Sequence, residues 1–158
     1  MAFFDSASMS FIIRCVHVMA MALVVGGSVV LCAMCMGNRG GEELEPGGAV
    51  LRLATRYERI FWSVLAILVL TGVGNLGAFA GHLPTRETLW GRKLLIKLFC
   101  VLALMVVSCV RTSVIAHYGY IHGERLEGWA RKMIGGAYAV TVLVAVAILT
   151  VALLLAHG

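Results

Sequence analysis

Charge is the scarcest feature of this sequence. Asp, Glu, Lys and Arg make up 13% of 158 residues, and three runs hold none of them: 15–36 (22 residues), 60–81 (22) and 133–156 (24). A helix rises about 1.5 Å per residue, so each run is long enough to cross a hydrocarbon core of roughly 30 Å. A fourth apolar stretch, 98–110, has only 13 uncharged residues, because Lys97 and Arg111 lie within its pattern. On a helix those two cations share nearly the same face, about 21 Å apart along the axis.

Other absences narrow the function. There is no Ser-His-Asp arrangement, no phosphate-binding glycine loop and no pair of carboxylates inside an apolar run, so hydrolytic and nucleotide chemistry have no support. The five cysteines (Cys15, Cys32, Cys35, Cys100 and Cys109) lie within or at the ends of apolar runs. That argues against a disulfide framework and for small buried hydrophobes. The first thirteen residues hold no Lys or Arg, and the run that follows is too long for the core of a cleavable signal, so it is expected to stay as a span. No internal repeat, low-complexity tract or second domain is visible.

What is present reads as a membrane protein: 61% hydrophobic residues and a mean hydropathy of +0.95. The net charge of +5 does not point to nucleic acid, since the basic residues flank the apolar runs and do not cluster on a soluble face. That is the footprint of a lipid bilayer with anionic headgroups as partner. Helices are expected over about 10–36, 50–81, 92–117 and 133–157, joined by short connections. This predicts one all-α domain, an integral-membrane up-down-up-down four-helix bundle. Gly37-Asn38-Arg39-Gly40-Gly41 stops the first helix, and Pro46-Gly47-Gly48 precedes the second. Residues 38–59 read as a polar connection. In its later part Arg52, Arg56 and Arg59 recur at helical spacing against headgroups, with Tyr57 and Trp62 at the interface level. Residues 119–132 read as the last polar connection. Four Lys and Arg (Arg14, Arg86, Arg92, Lys93) fall on the side of the termini, and seven (Arg39, Arg52, Arg56, Arg59, Arg125, Arg131, Lys132) on the side of the first and third connections. The asymmetry predicts an inner (cytoplasmic) membrane protein with both termini outside.

The first run organises the candidate site. On a helix Ser10, Arg14, His17, Met21, Ser28 and Cys35 fall within roughly 60° of one another, a polar and sulfur stripe that should face protein, cofactor or water. His17, His82, Lys97 and His157 come from four helices and share one end of the bundle. Four nitrogen side chains at comparable depth suit axial ligation of a haem or a small metal site. Simpler readings stand beside this one: Lys97 as a cation snorkelling to headgroups, and His82 and His157 as interfacial residues. At the other end Cys32 and Cys35 stand at i and i+3 among methionines, soft donors that favour Cu(I), although packing explains one such pair equally well.

Three short motifs carry a resemblance: Arg14-Cys15-Val16-His17 followed by Gly26-Gly27; Leu70-Thr71-Gly72-Val73-Gly74-Asn75; and Trp90-Gly91-Arg92-Lys93-Leu94-Leu95-Ile96-Lys97. In this order the chain resembles the superfamily that includes the membrane domain of the copper-resistance protein CopD and the HemJ-type protoporphyrinogen oxidases. The resemblance implies a four-helix membrane unit. It also implies, from HemJ-like proteins, a functional pair of a helix-1 histidine and a helix-3 lysine tied to a b-type haem, by position His17 and Lys97. From CopD-like proteins it implies copper passage across the inner membrane. Three readings follow. The first is a haem b protein of electron transfer or tetrapyrrole redox chemistry, either an oxidoreductase or a non-enzymatic electron carrier. It has His17 and Lys97 at the iron, Arg14 and Arg92 as propionate partners, and His82 and His157 as alternative ligands. The second is copper transport from a site at His17 and Met21 toward Cys32 and Cys35. The third is an accessory subunit of a larger membrane complex, or a homo-oligomer, with no site of its own.

Overall fold

A backbone crossing lipid must satisfy its own N–H and C=O groups, and helices do this within one segment. The computed structural model describes residues 6–37, 47–77, 88–122 and 128–156. They form four helices: α1 (Ser6–Met36), α2 (Gly47–Gly77), α3 (Leu89–His122) and α4 (Gly128–Ala156). All four are long and apolar enough to cross a membrane, and no strand occurs among the described residues. The chain is an all-α four-helix bundle and a multi-pass membrane protein.

The helices form a ring in which α1 packs along both α2 and α4, and α4 along α3; α2 and α3 touch much less. Two apolar clusters fill the interior. Ala20, Val24, Phe61, Leu65, Leu68, Leu104 and Ile148 belong to one, toward the start of α1, here the upper end. Leu31, Cys35, Leu51, Ala54, Ile115 and Ile134 belong to the other, toward the lower end.

The element ends differ from those the sequence predicts, and packing is the cause. α2 is continuous from Gly47, and Val50, Leu51, Ala54 and Phe61 on its first half are buried. Much of the expected connection over 38–59 is therefore core-forming helix, although Arg52, Arg56 and Arg59 do face outward. Tyr57 and Trp62 turn inward instead of sitting at an interface: both are half-buried and pack against the upper cluster. α3 and α4 reach into the expected connection 119–132, ending at His122 and restarting at Gly128. Tyr118 and Trp129 meet edge to face at 5.4 Å there, and Arg131 Nη2 donates to the Met34 carbonyl at 2.6 Å, tying the start of α4 to the end of α1. Such contacts override the weak helix propensity of a glycine-containing stretch. Residues 78–81 and 157, expected in helices, lie outside the described residues.

Close approach between helices depends on two glycines. A Cβ at Gly27 would overlap the Tyr57 ring, and one at Gly135 would stand 2.8 Å from the Cys35 Cβ. Small residues admit such approaches where apolar lipid gives helices little hydrophobic reason to associate. The Tyr57 hydroxyl lies across α1 as a result, donating to the Val24 carbonyl at 2.8 Å, with Ser28 Oγ at 3.1 Å. Gly26 next door has nothing within 4 Å of the same position. Gly27→Ala is therefore expected to destabilise the bundle by about 1–3 kcal/mol through overpacking. Gly26→Ala should be neutral or stabilising by up to about 1 kcal/mol through helix propensity. Unfolding both variants in mild detergent tests this, and equal effects would refute the proposed Tyr57 contact.

Candidate functional site

The stripe on α1 faces inward as its spacing predicts. Ser28 and Cys35 are buried, Ser10, His17 and Met21 half-buried, and Arg14 exposed. His17 Nδ1 lies 2.7 Å from Thr71 Oγ1 on α2. The Thr71 hydroxyl proton is directed back to its own helix, to the Ile67 carbonyl at 2.7 Å or the Leu68 carbonyl at 3.2 Å. When that proton stays on its own helix the Thr71 oxygen accepts, Nδ1 carries the imidazole proton and the lone pair is on Nε2. This is the arrangement in which a neighbouring group fixes the tautomer of a ligating histidine.

Lys97 enters from α3, half-buried and within Coulombic range of His17. Among the described residues it has no carboxylate and no hydrogen-bond partner. Above Ala20, Leu68, Leu104 and Ile148, Gly91 is the only buried position among the residues whose burial is described, and His17, Thr71, Gly72 and Lys97 are all half-buried. A Cβ at Gly72 would stand 3.8 Å from His17 Cε1, so the glycine backbone of α2 runs close beside the ring. The upper end thus brings an imidazole bonded through Nδ1 and a half-buried cation, with no carboxylate partner among the described residues, into Coulombic range of one another. By donor chemistry an imidazole and a cation of this kind suit a haem, the one as a ligand and the other as a propionate partner or, when neutral, a second donor.

The other predicted residues are dispersed. Arg14 and Arg92 are exposed. Met21 packs against the upper apolar cluster. Cys32 donates to Met36 Sδ at 3.7 Å, and Cys35 is buried where α1 meets Gly135. Cys32 and Cys35 are about 22 and 27 Å from His17 along α1, counted at about 1.5 Å per residue. Among the described residues no group of three His, Cys, Asp or Glu could hold a metal ion. His82 and His157 lie outside the described residues.

A second polar cluster, which the spans of the sequence did not reveal, lies near mid-depth. Glu58 of α2 and Arg111 of α3 are 4% and 1% exposed, so this ion pair is buried. Arg111 Nε donates to Glu58 Oε1 at 2.8 Å and Nη2 to Oε2 at 3.2 Å, a bidentate fork. Tyr138 of α4 donates to Oε1 at 2.8 Å, and Thr112 donates to Oε2. Trp62 Nε1 donates to Thr112 Oγ1 at 3.0 Å, and Arg111 Nη1 to Thr141 Oγ1 at 2.6 Å. The guanidinium carbon sits 4.4 Å from the Phe61 ring centroid and 4.6 Å from that of Tyr138. Each such desolvated cation–π contact is worth up to about 2 kcal/mol. The carboxylate has four donors and no second carboxylate beside it, so protonating it would strand a buried guanidinium. The cluster is built to hold charge in place.

Removing one partner of such a pair leaves the other buried and uncompensated. Glu58→Gln and Arg111→Met are each expected to cost about 3–5 kcal/mol of stability, while Glu58→Leu with Arg111→Met should cost far less than the sum. Unfolding the three variants in detergent checks this, and strictly additive losses would refute the pairing. No family model, curated protein or solved structure matches the chain, so its function is read from these two polar clusters.

Proposed function

We propose that the upper end of the bundle holds a b-type haem on His17, and that the protein acts in electron transfer or tetrapyrrole redox chemistry as an inner-membrane oxidoreductase or electron carrier. The observation that supports this most is the His17–Thr71 bond through Nδ1, which leaves Nε2 as the candidate donor at a half-buried position within Coulombic range of Lys97. A bound haem would supply the one-electron chemistry. Thr71 holds the imidazole in orientation. Lys97 offers a second nitrogen if neutral, or a positive partner for a propionate if charged, with Arg14 and Arg92 as further guanidiniums at the rim. The resemblance to HemJ-like proteins points the same way.

Copper passage draws less support. A lysine without a counter-charge repels an incoming cation, and Met21 is committed to the apolar cluster. Between His17 and the cysteines stand that cluster, whose sulfur side chains Met21 and Cys100 are packed among apolar groups, and the Glu58–Arg111 pair, which offers only hard oxygen and guanidinium groups. Electrons can tunnel through such a dry layer, whereas ions need a hydrated or liganded path.

Two tests apply. The purified protein should give a sharp b-type band in its reduced-minus-oxidised absorption spectrum. His17→Ala should lose or shift the band, and Thr71→Val should weaken haem retention by about 10–100-fold, the usual effect of removing a group that orients a ligand. Cys32→Ser with Cys35→Ser should leave the band unchanged. Lys97→Arg turns a six-coordinate haem high-spin if Lys97 ligates, because arginine keeps its proton. A wild-type spectrum there makes Lys97 a charge partner only. A colourless wild-type protein that retains copper would replace this reading with the copper one. For orientation, the four-to-seven charge asymmetry sets both termini outside. A reporter fused after His157 should be labelled from outside and a tag near Pro46 from the cytoplasm, and the opposite pattern would invert the protein.

A further inference from the structure

Sequence spacing sets Arg56 and Arg59 against headgroups, but the fold sets them deeper. Contacts between helices give a depth scale. The Tyr57 ring lies against Gly27, Thr71 Oγ1 is 2.7 Å from His17, and Arg131 bonds the Met34 carbonyl at 2.6 Å. Met34 is seven residues below Gly27 and Arg59 two above Tyr57, so Arg59 stands about 14 Å above the Met34 level. Thr71 is twelve residues farther up α2, about 18 Å. The two levels are thus about 32 Å apart, close to the roughly 30 Å of a hydrocarbon core. Each carries cations: Lys97 beside His17 above, Arg131 and the exposed Lys132 below. Arg59 is near mid-depth, with Arg56 about 9 Å above the lower level.

At this depth the other three helices expose valines: Val29 and Val30 on α1, Val110 on α3 and Val140 on α4. On α2 the exposed residues are Arg56 and Arg59, with Thr55 and Ser63 on the same outward face. The two hydroxyls turn back to their own helix, donating to the Leu51 and Arg59 carbonyls at 2.9 and 3.1 Å. Neither guanidinium has a partner among the described residues, and Glu58, the only carboxylate among them, is held inside by Arg111. The distance from Arg59 to either level exceeds two turns of helix, more than one snorkelling side chain spans.

We propose that this face of α2 docks a transmembrane helix of another membrane protein, one that carries carboxylates near mid-depth. Charged side chains within a membrane almost always face protein or water, or pair, and acyl chains offer Arg59 none of these. Planar guanidinium forks match carboxylates in geometry as well as charge. Arg56 and Arg59 are three residues apart, so two carboxylates one turn apart on a neighbouring helix would meet both. A second copy of this chain docking about a two-fold axis would set arginine against arginine, which is why a different, acidic helix is the favoured occupant. The face is independent of the haem reading, since it shares no residue with that site and points away from the bundle interior.

The test places the full-length protein in phosphatidylcholine liposomes with a leucine–alanine transmembrane peptide that carries two glutamates one turn apart at its centre. Energy transfer between labels on protein and peptide reads their association, and a matched peptide with two glutamines is the reference. Wild-type protein is expected to bind the glutamate peptide about tenfold more tightly than the glutamine one, the worth of a polar contact between helices in lipid. Arg56→Leu with Arg59→Leu should remove that preference. Lys132→Leu, which removes an exposed cation at the lower level, should leave it. If the double Leu variant does not fold, Arg56→Gln with Arg59→Gln replaces it and should lose the preference equally. Copies per complex, counted by stepwise photobleaching without peptide, should be the same for the wild type and the double variant. A wild type that binds both peptides alike, or a preference that persists in the double variant, would overturn the docking face. Wild-type dimers that the double variant loses would give the face to a second copy and overturn the acidic partner.

Discussion

An ion pair near mid-depth of a membrane bundle has no water to share its charge, so the protein around it has to be arranged for it. Glu58 and Arg111 impose that condition here. They come from α2 and α3, the two neighbouring helices that touch least, and side-chain bonds therefore span a seam that backbone packing does not close. Tyr138 and Thr141 bring α4 into the same cluster, and Trp62 adds a second bond from α2 to Thr112. Helices in lipid gain little from apolar contact alone, so directional bonds of this kind carry much of the information on which helix lies beside which. A hydrophobic replacement of the whole pair would fill similar volume but would not specify the register of α2 against α3. That is the best-attested use of a buried charge pair, ahead of net stability.

The spans and the all-α architecture were legible because length and missing charge suffice to define a membrane helix. The inward stripe of α1 was legible because its polar residues repeat at helical spacing. Glu58 was hidden by its sequence neighbours, sitting between Arg56 and Arg59 in a stretch that reads as headgroup-facing. Yet the buried positions of α2 run Leu51, Ala54, Glu58, Phe61, Leu65 and Leu68, alternating steps of three and four, and Glu58 falls in that series. On α3 the buried series Leu104, Ser108, Arg111, Ile115 and Tyr118 holds Arg111 in the same way. A charge on the apolar period of a helix is the signal that could have found the pair. Helix ends were less legible, because contacts such as Arg131 on the Met34 carbonyl carry helix through sequence that reads as loop.

Packing is graded along the bundle, and the grading bears on chemistry. From Ala20, Leu68, Leu104 and Ile148 downward each helix has buried positions at regular steps, whereas above that level His17, Thr71 and Lys97 are half-buried. The upper apolar cluster separates the two polar sites by about 20 Å, counted as the residues between Thr71 and Glu58 along α2. Met21 and Cys100 pack against this layer, which sets the Glu58–Arg111 pair apart from His17 and Lys97.

The contacts that set helix order follow the same gradient, since stability is not uniform along a fold. In this bundle the interactions that determine helix order, the Glu58–Arg111 pair, the Tyr57 contact across Gly27 and the approach of Cys35 to Gly135, all lie at mid-depth or below. Among the described residues the upper ends are joined by single bonds between helices, such as Lys93 Nζ on the Leu154 carbonyl at 2.8 Å and His17 Nδ1 with Thr71 Oγ1 at 2.7 Å. The contacts that most tightly constrain helix order thus lie away from His17 and Lys97, which stay half-buried outside the two apolar clusters.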